Sequence, residues 1–269
     1  MTRRGTPEGG SEEDMVKATR KPLEEIFGMV KGFERVLVVG CGGCTSVCLA
    51  GGQREVLALA DELAECARNA RVPQQYACFV TERQCNREFL EDIEERVENC
   101  DCLLSLACGA GAGLLADVYA AVPVFPALNT MFLGADLDVG LYEERCRTCG
   151  QCVLGDTGGI CPVTRCSKGS LNGPCGGTQQ DGSCELGDGI HCAWNDIYDR
   201  LKGQGRVESM MVIRPPMDWM EKGPRTLVQR GFEGRYAKKP AGMPQPRQER
   251  EGAAARMPPG AAADKARLP

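Results

Sequence analysis

The sequence predicts an α/β protein with a small Rossmann-like or flavodoxin-like parallel sheet, followed by a cysteine-rich, metal-organised irregular domain. Two observations support this fold class. Between residues 21 and 142, strand-like and helix-like segments alternate three times, which is typical of a parallel sheet covered by helices. Between residues 146 and 192, the chain carries eight of its 17 cysteines and few aliphatic residues. A segment of that length needs something other than an apolar core to organise it.

Each element of the α/β part follows from a local pattern. Pro22, followed by apolar residues at helical spacing, predicts a short helix that ends near Gly32. The apolar, β-branched run at 35–40 predicts a buried strand. Pro123 and Pro126 place the fourth strand at an edge of the sheet. The predicted strands are 35–40, 75–80, 101–107 and 122–128, and the predicted helices are 23–30, 55–68, 88–97, 114–121 and 193–201.

Changes in composition divide the chain into four parts. Residues 1–20 are polar and predict a disordered lead-in. Residues 21–142 form the α/β domain, with a cysteine site at the edge of its sheet. Residues 143–232 form the cysteine-rich domain and include one helix. Residues 233–269 are rich in proline, glycine, alanine and arginine, and they predict a disordered tail.

The composition also excludes several classes of protein. A formal charge of −5 and an aromatic content of 5% argue against a nucleic-acid partner. The most apolar run, residues 102–116, is shorter than the about 20 residues that a membrane span needs, and it contains three glycines. The polar start holds no apolar signal sequence, so we expect a cytoplasmic protein. Because 17 is an odd number, the cysteines cannot all form intramolecular disulfides.

Five cysteines follow the predicted strands and define a first candidate metal site: Cys41, Cys44, Cys48, Cys85 and Cys108. Three of them lie after the first strand, one after the second and one after the third. Because the carboxyl ends of parallel strands share one edge, we expect these cysteines to meet there. The first helical turn in this region should lower the pKa of nearby thiols. A cubane takes four thiolates, so one of the five is spare, and the sequence does not indicate which.

Eight further cysteines define a second candidate metal site: Cys146, Cys149, Cys152, Cys161, Cys166, Cys175, Cys184 and Cys192. Eight thiolates suit two [4Fe-4S] clusters, and the first three, in a C-x-x-C-x-x-C run, are expected to share one cube. Zinc is the alternative, because two all-cysteine zinc sites need the same number of ligands. The triple run favours iron–sulfur, so we expect two or three [4Fe-4S] clusters in the whole chain.

The other candidate residues are interpreted as structural. Four cysteines lie within or beside helix and strand patterns and are expected to be core thiols: Cys66, Cys78, Cys100 and Cys102. His191 is the only histidine, and we expect a solvated neighbour of Cys192 instead of a ligand. The glycine run at 111–116 fits a dinucleotide motif only loosely and follows the wrong strand. Since no base stands beside a nucleophile, we expect no catalytic residue in this chain.

Several long motifs of the chain resemble the MetV-type family, the methylenetetrahydrofolate reductase C-terminal domain proteins. The resemblance covers roughly residues 20–225, and Pro215-Pro-Met-Asp-Trp219 is similar to the closing segment of the family. The other motifs are Val39-Gly-Cys-Gly-Gly-Cys-Thr-Ser-Val-Cys-Leu-Ala-Gly-Gly52, Glu82-Arg-Gln-Cys85, Ser105-Leu-Ala-Cys-Gly109, Phe125-Pro-Ala-Leu-Asn-Thr130, Glu144-Arg-Cys-Arg-Thr-Cys-Gly-Gln-Cys152, Gly159-Ile-Cys-Pro-Val-Thr-Arg-Cys166 and Leu171-Asn-Gly-Pro-Cys-Gly-Gly177.

The resemblance implies a subunit of a complex and not a free-standing reductase. Members of this family pair with a flavin-containing TIM-barrel subunit that reduces methylenetetrahydrofolate, and they carry iron–sulfur clusters that pass electrons toward that flavin. The resemblance therefore implies an electron-transfer role in one-carbon metabolism. Folate and flavin would bind to the partner, with no flavin in this chain. A ferredoxin or another electron-donor subunit is a further expected partner.

Two alternatives to the iron–sulfur subunit lead to different expectations. A zinc-stapled structural adaptor of the same complex would be colourless and free of acid-labile sulfide. An enzyme with its own substrate on the first cluster would turn over without any partner. The iron–sulfur subunit is the leading hypothesis from the sequence.

Overall fold

The computed structural model of the protein describes residues 16–187, 189–217, 226–236 and 246–247. The chain divides into two units. One holds the residues up to Thr148 together with Cys152–Pro215, and the other holds Cys149–Gln151 together with Pro216–Pro269. The predicted α/β part and most of the cysteine-rich segment therefore belong to the same unit.

A parallel sheet of four strands lies at the centre of the first unit. The strands are β2 (Arg35–Cys41), β3 (Gln75–Thr81), β4 (Cys102–Leu106) and β5 (Val124–Pro126). Their order is β3-β2-β4-β5, and the neighbouring strands are parallel. Counted along the chain this is 2-1-3-4, the start of the flavodoxin-like order, with a switch point between β2 and β4. The predicted parallel sheet is confirmed, including the edge position of the strand that contains proline.

The two central strands are buried on both faces, which explains their unbroken apolar sequences. All of β4 is buried, as is β2 beyond its first residue. Successive side chains of β2 enter opposite apolar layers. Val36 and Val38 pack into one layer, and Leu37 and Val39 pack into the other.

Helices supply the rest of both layers. On one face, α1 (Leu23–Val30) and α3 (Gln53–Ala70) confirm the first two predicted helices and contribute Ile26 and Leu63 to the core. On the other face, the predicted helix at 88–97 is interrupted. It consists of α4 (Arg87–Leu90), a 3-10 turn (Glu91–Ile93) and α5 (Glu94–Val97). The third helix, α6 (Gly109–Val118), begins earlier than predicted, so the glycine run lies inside a helix and not in a phosphate-binding loop.

A second, antiparallel sheet is the main feature that the sequence pattern does not predict. It consists of β1 (Val16–Arg20), β6 (Leu128–Asp138) and β7 (Leu141–Cys146), in the order β1-β6-β7. The prediction of disorder is wrong for residues 16–20, because β1 pairs with β6 and fully buries Ala18. The remainder of the predicted lead-in, residues 1–15, lies outside the described residues. β7 crosses the domain boundary predicted at 142/143.

The cysteine-rich segment has little regular structure, as predicted. Within the described part of residues 147–192, the structure has one helical turn, α7 (Pro162–Arg165), and two isolated β-bridges. The helix predicted to follow is confirmed as α8 (Ala193–Gly203). Trp194, Ile197 and Leu201 of this helix pack with Ile160 in a small apolar cluster.

Among its described residues, the second unit has only short strands and one short helix. β8 (Thr226–Leu227) pairs with β9 (Pro246–Arg247), and α9 (Glu233–Tyr236) is one helical turn. Of the tail predicted to be disordered, 233–269, the described residues are those of α9 and β9, and the rest lies outside them. Among the helices that the structure describes, none is long and apolar enough to cross a membrane.

One ion pair joins the starts of the two central strands and leads to a pH prediction. Arg35 donates to both carboxylate oxygens of Asp101, from its backbone N–H at 2.8 Å and from its guanidinium at 2.6 Å. These hydrogen bonds hold the pKa of Asp101 below its usual value. Because the folded-state pKa is lowered, the stabilisation is present above the pKa of unfolded aspartate and is lost as the pH falls through the folded-state pKa.

Asp101→Asn should therefore reduce the free energy of unfolding at about pH 7 and have a smaller effect below about pH 4, where the wild-type carboxyl also becomes protonated. Urea unfolding at several pH values measures this difference. The expected loss is small, because the pair is exposed to solvent. A difference that stays constant across the acid range would contradict the lowered pKa.

Candidate functional site

The first candidate site lies at the carboxyl edge of the parallel sheet. Cys41 is the last residue of β2, Cys44 begins helix α2 (Cys44–Val47), and Cys108 caps the amino end of α6. Cys85 follows β3, in the loop before α4. Because β2 lies between β3 and β4, these loops leave neighbouring strands beside the switch point, where ligands bind in open α/β sheets.

The secondary-structure elements place four thiols at this edge, those of Cys41, Cys44, Cys85 and Cys108. Burial raises the pKa of the Cys44 thiol, and the neighbouring thiols of Cys108 and Cys41 raise it further. Burial also raises the pKa of Cys85, again with contributions from Cys41 and Cys108. Cys41 and Cys108 are thus shared neighbours of the other two cysteines. The expectation of a lowered pKa is wrong for Cys44, because burial outweighs the backbone hydrogen bonds to its sulfur.

Cys48, the fifth cysteine of the predicted set, has different surroundings. Its Sγ accepts a hydrogen bond from the backbone N–H of Ala18 at 3.4 Å. Its thiol also lies 3.7 Å from the carbonyl oxygen of Ala18 and 3.6 Å from that of Thr45. The side chain is 1% exposed and belongs to the apolar layer that also contains Ala18 and Ala50. These are the contacts of a core thiol packed against β1.

A buried threonine anchors the turn that carries these cysteines, a role that the sequence pattern does not indicate. The Thr45 hydroxyl is buried and donates to the carbonyl oxygen of Leu106 at the end of β4, at 3.2 Å. The Thr45 carbonyl accepts from the N–H of Gly51 at 2.8 Å, and the Gly51 carbonyl accepts from the N–H of Cys41 at 2.9 Å. The only sequence signal was a polar residue between two cysteines.

The second cysteine-rich region brings four of its eight cysteines around one cleft: Cys166, Cys175, Cys184 and Cys192. The cleft is also lined by Lys168, which forms an ion pair with Glu185, and by His191 and Trp194. His191 is half-exposed, and its Nδ1 lies 2.8 Å from a carboxylate oxygen of Asp196.

Cys192 has the most distinctive environment of these four thiols. It caps the amino end of α8. Burial disfavours its thiolate, but hydrogen bonds from the Thr178 hydroxyl and from the N–H groups of Asn195 and Trp194 outweigh that effect and lower its pKa. The Thr178 Oγ1 lies 3.0 Å from the Cys192 sulfur. The helix end and the hydroxyl therefore favour a thiolate at this position.

The other four cysteines of the region do not line this cleft. Cys146 ends β7, and its sulfur accepts from the N–H of Thr148 at 3.3 Å. Cys161 caps the single turn of α7, and Cys152 is exposed. Cys149 belongs to the three-residue segment of the second unit, where its thiol contacts the carbonyl oxygen of Gln151 at 3.6 Å. The predicted grouping of these cysteines on one cube stays a prediction.

Three of the four cysteines expected to be structural pack with the apolar layers, Cys78 and Cys102 in one and Cys100 in the other. Burial raises the pKa of Cys102 to about 12, and this residue lies inside β4. Burial also raises the pKa of Cys78 and that of Cys100. Because burial raises the pKa of Cys44 and Cys85 as well, it is the position in the apolar layers that marks these three thiols as small hydrophobic side chains.

Within the described residues, no three His, Cys, Asp or Glu side chains form a group that could hold a single metal ion. A [4Fe-4S] cubane makes a different demand on the arrangement of its ligands. Each of its four irons binds one cysteine thiolate, so the four cysteine sulfurs lie around the cluster instead of converging on one point. The donor type fits this demand, because four thiols lie at the sheet edge and four line the cleft. Thiolates are ligands of iron–sulfur clusters and of zinc alike.

The fold and these sites together define an α/β protein of flavodoxin-like strand order with two cysteine-lined sites. Residues 125–220 match the family model described as "Methylene-tetrahydrofolate reductase C terminal". Over that range the resemblance seen in the sequence is confirmed. The match contains all eight cysteines of the second region, whereas the five cysteines of the first lie outside it. No match is found among curated proteins or among solved structures.

Proposed function

We propose that this chain is an iron–sulfur electron-transfer subunit that partners a flavin-containing methylenetetrahydrofolate reductase subunit. The observation that carries the proposal is the position of Cys41, Cys44, Cys85 and Cys108 at the carboxyl edge of the sheet, beside its switch point. These thiols come from the end of β2 and from the loops that follow β2, β3 and β4. The family match over residues 125–220 supports the reductase context.

The first cluster is assigned to Cys41, Cys44, Cys85 and Cys108, and Cys48 is the spare thiol. This assignment follows from the position of the four at the sheet edge and from the burial of Cys48 in the apolar layer against β1. Cys41 is buried and Cys85 is exposed. A cluster held here would be covered on the Cys41 side by the sheet and reachable by a partner on the Cys85 side.

In the second region, the cleft groups Cys166, Cys175, Cys184 and Cys192, and these four are assigned to one cluster. For the other cysteines the only support is the sequence, whose C-x-x-C-x-x-C run of Cys146, Cys149 and Cys152 predicts ligands of a further cube.

The chemistry of the bound clusters is reversible one-electron transfer. The chain's own residues hold the thiolates in place and set the environment around them. Thr178 and the amino end of α8 stabilise negative charge at Cys192, while the sheet excludes water from Cys41. The chain needs no catalytic base for this function, since proton and hydride chemistry would belong to the flavin subunit.

The test of the proposal is the content of iron, zinc and acid-labile sulfide per chain, measured on protein purified without oxygen. We expect about eight to twelve irons with matching sulfide, as two or three cubanes require. Reduction by dithionite should bleach the visible absorbance, and a flavoprotein should co-purify with the tagged chain.

About two or three zinc ions without sulfide would overturn the electron-transfer role. Such a result would support the structural adaptor instead. Reduction of methylenetetrahydrofolate by the purified chain alone would contradict the assignment of catalysis to a partner.

A further inference from the structure

One fully buried glutamine connects the loops that carry the first cysteine set. Gln84 is 0% exposed and directly precedes Cys85. Its amide nitrogen donates to the carbonyl oxygens of Val39 at 2.8 Å and Gly40 at 3.1 Å, the two residues before Cys41. Its amide oxygen accepts from the hydroxyl of Ser105 at 2.7 Å.

Ser105 extends the connection to the third loop. This residue is also 0% exposed, and its hydroxyl oxygen accepts from the N–H of Ala107 at 3.3 Å. Ala107 directly precedes Cys108. The network formed by Gln84 and Ser105 therefore reaches a residue adjacent to each of three cysteines that come from three separate strands.

The hydrogen-bond partners and the packing around Gln84 allow its amide group a single orientation. Two carbonyl oxygens and one hydroxyl determine which end of the Gln84 amide points to which partner, and both amide hydrogens are used. Gly111 of α6 supplies the space beside it. A Cβ at that position would lie 2.9 Å from the Cβ of Gln84 and 2.8 Å from that of Ala107. A buried network with its hydrogen bonds satisfied is rigid and specific.

We infer that Gln84 is a positioning residue that fixes the relative placement of Cys41, Cys85 and Cys108 so that they bind one inorganic group. The inference rests on the proposed function, because it takes these cysteines as ligands. Outer-shell hydrogen bonds orient ligands and tune the group they hold. Disturbing Gln84 should therefore change metal content and spectrum as well as stability.

The test compares Gln84→Glu with Gln74→Glu, a half-buried control with the same hydrogen-bond pattern at the opposite edge of the sheet. The Gln74 amide nitrogen donates to the carbonyl oxygens of Val30 and Phe33, and its oxygen accepts from the Tyr76 hydroxyl. Both substitutions keep the side-chain shape and remove two donors to carbonyls. We expect Gln84→Glu to lose about four irons per chain and Gln74→Glu to lose none.

Ser105→Ala is a milder second variant, in case Gln84→Glu fails to fold. It should retain iron but shift the electron paramagnetic resonance spectrum and midpoint potential of the first cluster, whereas Gln74→Glu should leave both unchanged. Circular dichroism checks the fold of each variant.

Wild-type iron content and an unshifted spectrum in folded Gln84→Glu or Ser105→Ala would overturn the inference. So would equal losses in Gln84→Glu and Gln74→Glu. If wild-type protein holds zinc without sulfide, the electron-transfer proposal fails. Metal loss confined to Gln84→Glu would then still support the positioning role.

Discussion

Cys85→Ala should remove about four irons per chain with the matching sulfide, while Cys48→Ala should keep the full content. The two cysteines were equivalent candidates on sequence spacing. In the structure, the thiol of Cys85 interacts with those of Cys41 and Cys108, whereas the thiol of Cys48 contacts β1. Iron and sulfide analysis after anaerobic purification measures the difference. The irons bound by the second region should be unaffected in both variants.

Cys48→Ala serves as the matched control because it removes a thiol from the same turn. Its expected effect is on stability, at about 1 kcal/mol, from the lost hydrogen bonds and packing around the sulfur. Unchanged iron in Cys85→Ala would remove this residue from the ligand set. Loss of four irons in a folded Cys48→Ala would show that the spare thiol has been misassigned.

Gly51→Ala should destabilise the protein by about 3 kcal/mol or more, because the added methyl group has no space. A Cβ at this position would lie 1.9 Å from the carbonyl oxygen of Leu106 and 2.6 Å from the Thr45 hydroxyl oxygen. Neither the Leu106 carbonyl nor the backbone of Gly51 can shift without breaking other contacts. Leu106 ends a buried central strand, and the backbone of Gly51 is bonded to both Thr45 and Cys41. Denaturant unfolding of metal-loaded protein measures the loss.

Gly113→Ala is the control for this prediction. The position lies within α6 and has no atom within 4 Å of an added Cβ. Alanine is the better helix former, so we expect stabilisation by about 0.5–1 kcal/mol. Two glycine substitutions in the same half of the chain should thus act in opposite directions. Similar stabilities for Gly51→Ala and the wild type would mean that the turn can move away from β4.

The parallel sheet could be predicted because its central strands carry a strong local signal. The apolar runs of β2 and β4 come from burial on both faces, and the apolar faces of α1 and α3 have clear helical spacing. The antiparallel sheet could not be predicted in the same way. Most residues of β6 are exposed or half-buried, so its sequence shows no regular alternation.

The missed sheet explains the incomplete prediction of the site. Topology alone predicted that cysteines from three loops would share one edge. The separate role of Cys48 depends on Ala18 of β1, a strand that the sequence pattern did not indicate. Gln84 was missed for a similar reason. A glutamine beside a cysteine in a polar loop appears exposed until the fold shows that it bridges three backbone segments.

The strand order has a consequence for how the protein would be assembled in the cell. Cys41, Cys85 and Cys108 meet only after β3, β2 and β4 have paired, and that sheet has two apolar layers of its own. Among its described residues, the second region has one small apolar cluster and eight cysteines, so under the proposed function its folding would be coupled to metal loading. Under the proposed function, cluster delivery to the sheet edge follows folding. Iron starvation would then leave chains whose parallel sheet is folded and whose cysteine-rich segment is unfolded.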